Sequence, residues 1–469
     1  VGKASQGLAD YLKKQYEKPS VAIAYDSRIK SDVFAKLAAS VLAANGIQVH
    51  IWPQLMPVPA LSYAVRALNA DAGIVVTASH NPSKYNGYKV YGADGGQITS
   101  KAAEEILEEI EKLDIFQDVR QDDFEDALTA GTIRYISDDV YTEFVEAVKQ
   151  QSVLFGDEID KNIAIVYTPL NGAGLGPVTR TLQESGYTNI TVVREQEMPN
   201  GNFPTCPYPN PEIREAMALG IEYAERLQAD LLLATDPDCD RVGIAVRDAT
   251  GEYVLLSGNQ MGVLLLDYIC SQRTKHGRMP EDPVFIKTIV STDLCERIAA
   301  HYGVKTKNVL TGFKYIGEQI GQMEACGKAD SYIFGFEESY GYLSGSYVRD
   351  KDAVNASLLI CEMFCYYASQ GISLLDRLHM IYDQYGYCLN RVHSYSFEGA
   401  AGFETMQKIM AEFRKLSDHL CGYVIEQKID YAKGIDGLPQ ADVVKFMLED
   451  DCSVIVRPSG TEPKIKVYV

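Results

Sequence analysis

Several features that would place a protein in other classes are scarce in this sequence. No apolar run approaches the roughly 20 residues that cross a membrane, and there is no signal-peptide pattern, so we expect a cytoplasmic protein without a membrane partner. The ten cysteines stand singly, which indicates reduced thiols rather than a disulfide framework or a zinc site. The net charge of -20 argues against nucleic acid as a partner, although a small anion could still bind to local basic loops.

A pattern of apolar strands and amphipathic helices recurs three times along the 469 residues, which are too many for a single hydrophobic core. In each unit the second helix ends in Ala-Asp, and an apolar strand and a polar loop follow. The three pairs are Ala70-Asp71, Ala229-Asp230 and Ala329-Asp330. From about Gln384 the sequence alternates between polar and apolar residues, which is typical of half-exposed antiparallel strands.

We therefore predict an α/β fold with three similar α/β domains that contain mixed sheets, plus a C-terminal α+β domain, with the four domains around a central cleft. The predicted domains cover residues 1–152, 153–270, 271–384 and 385–469. The alternative is that the three units share only the general character of α/β proteins.

The first polar loop runs from Thr77 to Gly87 and follows the apolar strand that begins at Asp71. Pro82 prevents the strand from continuing, so we expect Ser79 at the carboxyl end of a parallel strand, where open α/β sheets bind their ligands. A serine in that position is a candidate nucleophile or phosphate carrier. An ordinary turn is the alternative, because Ser, His, Asn and Pro are common turn residues.

The second polar loop places three carboxylates at alternate positions, Asp236, Asp238 and Asp240. This spacing lets all three side chains converge on one hard cation, and Mg²⁺ is the expected ion. The alternatives are a solvated acidic turn or a calcium loop, although no EF-hand pattern is completed. We expect Cys239 to point away from the cation, because a thiol is a poor ligand for Mg²⁺.

The two remaining polar loops carry groups suited to a sugar and to a phosphate. Glu337-Glu338-Ser339 offers carboxylates and a hydroxyl to vicinal sugar hydroxyls, with exposed surface charge as the alternative. The last loop combines an arginine, two hydroxyls and a glycine as a phosphate nest or an ordinary turn: Arg457, Ser459, Gly460 and Thr461. Moving a phosphoryl group between two oxygens of one sugar requires all four kinds of loop.

In sequence and in order, these loops resemble those of the α-D-phosphohexomutases. Thr77-Ala-Ser-His-Asn-Pro is similar to the family's phosphoserine loop, and Asp236-Pro-Asp-Cys-Asp-Arg to its metal loop. Gly335-Phe-Glu-Glu-Ser is similar to its sugar loop, and Arg457-Pro-Ser-Gly-Thr to its phosphate loop. The resemblance extends from about Val21 to the end of the chain, and the four motifs are highly specific as a set.

The resemblance implies a phosphoserine at Ser79 and one Mg²⁺ per chain on Asp236, Asp238, Asp240 and a phosphate oxygen on Ser79. It implies that His80, Lys89 or Lys351 carries the proton. The residues expected to bind substrate are Arg28, Arg241, Thr311, Gly312, Lys314, Glu337, Ser339, Arg349, Arg457, Ser459, Gly460 and Thr461. For Arg241, a structural ion pair is the alternative.

Glu-Glu-Ser in the sugar loop, rather than Glu-Met-Ser, implies a phosphoglucomutase that interconverts glucose 1-phosphate and glucose 6-phosphate. Glucose 1,6-bisphosphate would be both intermediate and activator. Gly-Phe-Glu-Glu-Ser-Tyr-Gly is closest to the bacterial branch related to the second type of phosphoglucomutase and phosphopentomutase, so a pentose phosphate or another hexose phosphate is the alternative substrate. The family's Gly/Arg-rich first strand and its last helix are not found here, which leaves an inactive sugar-phosphate-binding module as a further hypothesis. We expect a monomer or a weak dimer.

Overall fold

In the computed structural model, which describes residues 1–397, 399–435, 437–459 and 464–469, the same order of strands occurs three times. In each of the first three domains, the first strand pairs in parallel with the second and the third strand. The chain then turns back from the third strand into an antiparallel fourth strand. The sheet orders are β4-β3-β1-β2-β5, β10-β9-β8-β6-β7 and β12-β11-β13-β14, in the numbering given below. The prediction of three similar α/β domains with mixed sheets is therefore confirmed.

Domain I begins with a helix that precedes the first strand. Its strands are Ser20–Tyr25 (β1), Gln48–Ile51 (β2), Ala72–Val76 (β3), Lys89–Gly92 (β4) and Ile133–Tyr135 (β5). Its helices are Gly2–Gln15 (α1), Ser31–Ala44 (α2), Val58–Ala67 (α3), Ser100–Glu111 (α4), Phe124–Ala130 (α5) and Asp138–Lys149 (α6).

Domain II repeats this arrangement and extends the sheet by a second antiparallel strand. Its strands are Ile165–Thr168 (β6), Ile190–Val192 (β7), Leu231–Thr235 (β8), Val242–Arg247 (β9) and Tyr253–Leu255 (β10). Its helices are Leu175–Glu184 (α7), Arg194–Glu197 (α8) and Arg214–Leu227 (α9).

Domain III contains the most extensively buried helices. Its strands are Val284–Thr288 (β11), Lys305–Val309 (β12), Tyr332–Glu337 (β13) and Gly341–Leu343 (β14). Its helices are Gly258–Lys275 (α10), Leu294–His301 (α11), Phe313–Ala325 (α12), Ala353–Ala368 (α13) and Leu374–Tyr385 (α14).

Helix α10 crosses the predicted boundary at residue 270 without interruption. A Cβ atom on Gly262 of this helix would lie 2.4 Å from the ring of Phe336 on β13, so the helix packs directly on the third sheet. We therefore propose that domain III begins at Gly258, and the other boundaries stay predictions.

The aspartate that the three units share has a structural role in two of them. The Oδ2 atom of Asp71 accepts a hydrogen bond from the backbone N–H of Ser20 at 2.8 Å, and Asp230 accepts one from Ala164 at 2.8 Å. Each carboxylate thus fixes the start of the first strand beside the start of the third. Asp330 is exposed instead, at the centre of a short 3-10 helix, Ala329–Ser331.

Domain IV is a six-stranded antiparallel sheet in the order β15-β20-β19-β18-β17-β16, which confirms the predicted antiparallel C-terminal domain. Its elements are Val392–Ser396 (β15), Gly399–Lys415 (α15), His419–Leu420 (β16), Tyr423–Asp430 (β17), Val444–Leu448 (β18), Ser453–Pro458 (β19) and Lys464–Tyr468 (β20). One face packs on α15, and the other face meets domain III through an apolar cluster that includes Leu310, Tyr431 and Tyr468.

Two further findings concern the expectations from composition. Among the described residues, no helix is both long enough and apolar enough to cross a membrane. All ten cysteines are free thiols.

Candidate active site

Three polar loops meet because each of them begins at the carboxyl end of the equivalent strand in its own sheet. Ser79 follows β3, Asp236 follows β8 and Glu337 ends β13, and in each domain the next strand turns back antiparallel. The Ser79 hydroxyl donates a hydrogen bond to Oδ2 of Asp236 at 2.9 Å, although the two residues are 157 positions apart. The structure thus brings together the serine and the aspartates that the sequence singled out.

The Ser79 loop is held in a strained conformation by buried polar groups. Ser79 has a φ of 51°, in the left-handed region that few non-glycine residues adopt. Its backbone N–H donates to Oγ1 of Thr77 at 2.8 Å, and the Thr77 hydroxyl donates to Oδ2 of Asp26 at 2.7 Å. Burial raises the pKa of Asp26 to about 6, although the guanidinium of Arg28 beside it favours the charged form.

Arg28 holds the same loop through its backbone. The guanidinium is fully buried and lies 3.3 Å from Oδ2 of Asp26. It donates hydrogen bonds to four backbone carbonyls of the loop, those of Ser79, Asn81, Pro82 and Tyr85. Arg28 was expected to bind substrate, but in this structure its donors are turned towards the protein.

The three aspartates form a buried cluster of oxygen ligands. Asp236, Asp238 and Asp240 are fully buried, and they offer ligand atoms that all lie within 4.8 Å of one another. Among the described residues, Oδ1 of Asp238 and Oδ1 of Asp240 have no hydrogen-bond donor. Buried carboxylate oxygens without donors are costly unless a cation meets them, so these residues fit a hard divalent ion. The thiol of Cys239 lies against Gly174 instead.

Two lysines supply positive charge to this cluster. Nζ of Lys89 lies 3.0 Å from Asp238 Oδ2 and 3.8 Å from Asp240 Oδ2. Nζ of Lys351 lies 2.8 Å from Asp240 Oδ2. Burial alone would lower the pKa of each lysine, but the neighbouring carboxylates outweigh it and the pKa of both is raised. Both side chains are therefore cations at neutral pH.

The ring of His80 lies next to the serine hydroxyl, with Nδ1 at 3.1 Å from Ser79 Oγ. Desolvation, and then the positive charge of Arg241, lower the pKa of His80 well below its ordinary value. The ring is therefore neutral at neutral pH and able to accept a proton.

The sugar loop approaches the metal loop from domain III. Glu337 is buried, and its Oε1 accepts the backbone N–H of Gly312 at 3.0 Å, so the predicted segment Thr311 to Lys314 reaches this loop through Gly312. Burial, and then the neighbouring charge of Glu337, raise the pKa of Glu338 to about 7. Ser339 lines a cavity of about 220 Å³, and residues of domain IV that include Lys466 also line it.

Two other arginines already have protein partners. Nη1 of Arg241 lies 2.5 Å from Oε1 of Glu212. Arg349 is fully buried, with Nη2 at 2.6 Å from Oε2 of Glu324. The backbone N–H of Arg349 donates to the hydroxyl of Ser62 in domain I at 2.9 Å, so this segment joins domains I and III. The structure does not bring the Arg349 guanidinium to the cluster of aspartates.

The predicted phosphate loop is described only in part. Arg457 lies near the end of β19, and its Nη1 donates to the Tyr468 hydroxyl at 3.2 Å. The backbone N–H of Ser459 donates to the carbonyl of Lys464 at 2.7 Å. Gly460 and Thr461 lie outside the described residues.

Three functional contacts were not anticipated from the sequence. Asp26 and Thr77 support the Ser79 loop, and Glu212 holds Arg241. For Asp26 a signal was present, because this aspartate directly follows the apolar strand β1, as Asp236 follows β8. Glu212 lies in the Pro-rich stretch before α9, where nothing local indicates an ion pair with residue 241.

Comparison with known proteins gives a consistent picture over most of the chain. Models of the phosphoglucomutase/phosphomannomutase α/β/α domains I, II and III match residues 1–115, 142–251 and 257–385, and the model of the family's C-terminal domain matches residues 402–469. The phosphoglucomutase of Staphylococcus saprophyticus is 36% identical over 100% of this chain and 86% of its own length. That of Staphylococcus aureus strain USA300 is 37% identical over 100% of this chain and 85% of its own.

A solved structure shows the same fold. The phosphoglucomutase/phosphomannomutase family protein of Burkholderia thailandensis superimposes with a TM-score of 0.70 at 18% identity, over 100% of this chain and 88% of that one.

Proposed function

Because this chain belongs to the phosphoglucomutase/phosphomannomutase family, we propose that it is a phosphoglucomutase that interconverts glucose 1-phosphate and glucose 6-phosphate. One observation carries the proposal, the 2.9 Å contact between the Ser79 hydroxyl and Asp236 at the meeting point of three loops. A hydroxyl next to a buried cluster of carboxylates is the arrangement needed to lend a phosphoryl group beside a divalent cation.

Asp236, Asp238 and Asp240 would hold one Mg²⁺, together with an oxygen of the phosphate on Ser79. When bound, Mg²⁺ neutralises charge on the transferring phosphoryl group. The donor set supports this choice, because it contains only carboxylate oxygens and includes buried oxygens to which no described residue donates a hydrogen bond.

In the first transfer, the 6-hydroxyl of glucose 1-phosphate attacks the phosphorus on Ser79. The bond from phosphorus to Ser79 Oγ breaks as the bond to O6 forms, the O6 proton passes to a base, and glucose 1,6-bisphosphate results. The bisphosphate then turns over, and its 1-phosphoryl group returns to Ser79 by the reverse chemistry. Glucose 1,6-bisphosphate would also activate the enzyme by phosphorylating a free Ser79.

His80 is the preferred base among the three candidates. Its ring is neutral and 3.1 Å from Ser79 Oγ, whereas Lys89 and Lys351 are kept protonated by aspartates. The two ammonium groups would instead stabilise the charge that spreads over the equatorial oxygens of the phosphoryl group.

The sugar and the phosphate that does not react would bind on the opposite side of the cleft. Glu337 and Ser339 would accept and donate hydrogen bonds to sugar hydroxyls. The other proposed contacts come from the start of α12 with the two residues before it and from the phosphate loop: Thr311, Gly312, Lys314, Arg457, Ser459, Gly460 and Thr461. We further propose a monomer or weak dimer in the cytoplasm, which the free cysteines support.

Conversion of glucose 1-phosphate by the chain and by Ser79→Ala tests the function. We expect turnover by the parent chain, no measurable turnover by Ser79→Ala, and parent-like turnover by Ser83→Ala, a serine in the same loop. Intact mass should show one phosphate on the parent chain and none on Ser79→Ala after incubation with glucose 1,6-bisphosphate. A higher kcat/KM for ribose 1-phosphate than for glucose 1-phosphate would instead make the chain a phosphopentomutase, and equal phosphorylation of both proteins would contradict the role of Ser79.

A further inference from the structure

Arg241 occupies an unusual position directly beside the cluster of aspartates. Its Nη1 pairs with Glu212 at 2.5 Å, and its Nε lies 4.0 Å from Oδ1 of Asp240. That Nε is buried and has no hydrogen-bond acceptor in the part of the chain that the structure describes. Within the same residues, Oδ1 of Asp240 has no donor. A small shift of the guanidinium would pair these two unsatisfied atoms, and the contact with Glu212 opposes that shift.

The position of Glu212 is fixed by the segment that precedes it, residues 200–212. The backbone N–H of Glu212 donates to Oδ1 of Asn210 at 3.1 Å. Pro211 lies against β9, where a Cβ atom on Gly243 would come within 2.7 Å of the Pro211 carbonyl oxygen. Further along, the buried ring of Phe203 lies 5.2 Å from the guanidinium of Arg28. The 200–212 segment is therefore packed at both ends, and Glu212 cannot easily follow Arg241.

A guanidinium that moved onto Asp240 would compete with a metal ion for the same carboxylate. An arginine pairs strongly with a carboxylate in a buried site, and Asp240 is fully buried. We propose that Glu212 is a positioning residue that holds Arg241 away from Asp240 and so keeps the three aspartates available to a divalent cation. The proposal rests on the function proposed above, because it assumes that this cluster binds the cation.

Direct binding of Mn²⁺, followed by the electron paramagnetic resonance signal of the free ion, tests the idea without measuring activity. We expect Glu212→Gln to weaken Mn²⁺ binding about 10-fold, the lower end of the roughly 10- to 100-fold range found for residues that orient metal ligands. Glu215→Gln, an exposed glutamate at the start of α9, is the matched control and should bind Mn²⁺ as the parent chain does.

The Arg241→Met background separates positioning from simple loss of negative charge. If Glu212 acts through Arg241, then Glu212→Gln should change Mn²⁺ affinity less than about twofold once Arg241 is absent. An effect of equal size in both backgrounds would show that Glu212 acts only through its charge, and this would overturn the proposal. Unchanged binding in Glu212→Gln would also overturn it.

Two outcomes separate this inference from the function on which it rests. If the parent chain itself fails to bind Mn²⁺, the metal site of the proposed function is wrong, and the role of Glu212 falls with it. If Glu212→Gln fails to fold, Arg241→Met alone decides, because it should bind Mn²⁺ at least as tightly as the parent chain, and weaker binding would contradict the proposal.

Discussion

Replacing Arg28 with methionine should detach the Ser79 loop from the body of domain I. The fully buried guanidinium donates to four backbone carbonyls of that loop and lies 3.3 Å from Asp26. Hydrogen bonds to charged groups contribute about 1.5–3 kcal/mol each, and removing one partner of a buried ion pair costs about 3–5 kcal/mol. Because the lost contacts share one side chain, we expect a total loss of about 3–5 kcal/mol rather than their sum.

The loss should appear in catalysis as well as in stability. If the loop must regain its position for each transfer, about 3 kcal/mol corresponds to a more than 100-fold fall in kcat, since each 1.36 kcal/mol is a factor of ten. Arg28→Lys should lie between the parent and Arg28→Met, because an ammonium cannot reach all four carbonyls. Arg134→Met, which changes an exposed arginine of β5 in the same domain, is the control and should behave as the parent does.

Three measurements make this prediction refutable: kcat and KM for glucose 1-phosphate, unfolding in urea, and hydrogen exchange of the amides between residues 77 and 87. We expect faster exchange in this segment, lower stability and lower kcat. If Arg28→Met instead raises KM alone and leaves exchange and stability unchanged, Arg28 binds substrate, as the family resemblance implied.

Two further predictions use matched variants. A Cβ atom on Gly341 would lie 2.4 Å from Cδ of Lys351, so Gly341→Ala should push the ammonium group of Lys351 from Asp240 and lower kcat about 10- to 100-fold. Gly176→Ala is the control and should have no effect, because its Cβ meets no described atom closer than 3.5 Å. A normal kcat in Gly341→Ala would contradict the role of Lys351. Burial raises the pKa of Asp352 from 3.8 to about 6. Between these two pH values the carboxyl group keeps its proton in the folded state and loses it in the unfolded state. The contribution of Asp352 to stability therefore falls as pH rises from about 4 to 6. Asp352→Asn should reduce that fall by up to about 3 kcal/mol, measured by comparing the unfolding free energies of the variant and the parent chain at pH 4 and at pH 7. Asp383→Asn, at an exposed position, should leave the fall unchanged. A difference between Asp352→Asn and the parent chain that does not depend on pH would refute the reasoning.

The sequence was sufficient to predict where the reactive loops lie because each depends on a local pattern. An apolar strand followed by a polar turn indicates the carboxyl end of a buried strand, and the three turns occur at equivalent places in three sheets. The prediction that distant loops share a cleft needed only this equivalence, and the 2.9 Å contact between Ser79 and Asp236 agrees with it.

One strand that was not predicted lacks an apolar pattern. Strand β12, Lys305–Val309, reads Lys-Thr-Lys-Asn-Val and is mostly exposed at the edge of its sheet. It forms because its backbone pairs in parallel with β11. Such an edge strand becomes ordered by pairing with its neighbouring strand, and a single sequence does not show which strands pair.

The roles of the arginines could not be predicted for a different reason. An arginine near a reactive loop is equally suited to an anionic ligand and to backbone carbonyls or carboxylates of the protein, and only burial distinguishes them. Arg28 lies on the carbonyls of the Ser79 loop, Arg241 on Glu212 and Arg349 on Glu324. Three of the side chains expected to bind substrate thus contact protein groups that shape the site.

The contacts of these arginines with protein groups affect the balance of charge around the three aspartates. A phosphoryl group on Ser79 brings negative charge to a place already surrounded by three buried aspartates. Arg28 and Arg349 are turned to protein partners. Among the described residues, Lys89 and Lys351 lie 3.0 and 2.8 Å from carboxylates of this cluster, and Arg241 is held at 4.0 Å. These three cations match the three carboxylates when all are ionised, so a phosphoryl group on Ser79 adds negative charge that the cluster does not offset. The divalent cation of the proposed function would offset that charge, and the position of Arg241 would keep the carboxylate of Asp240 available to it.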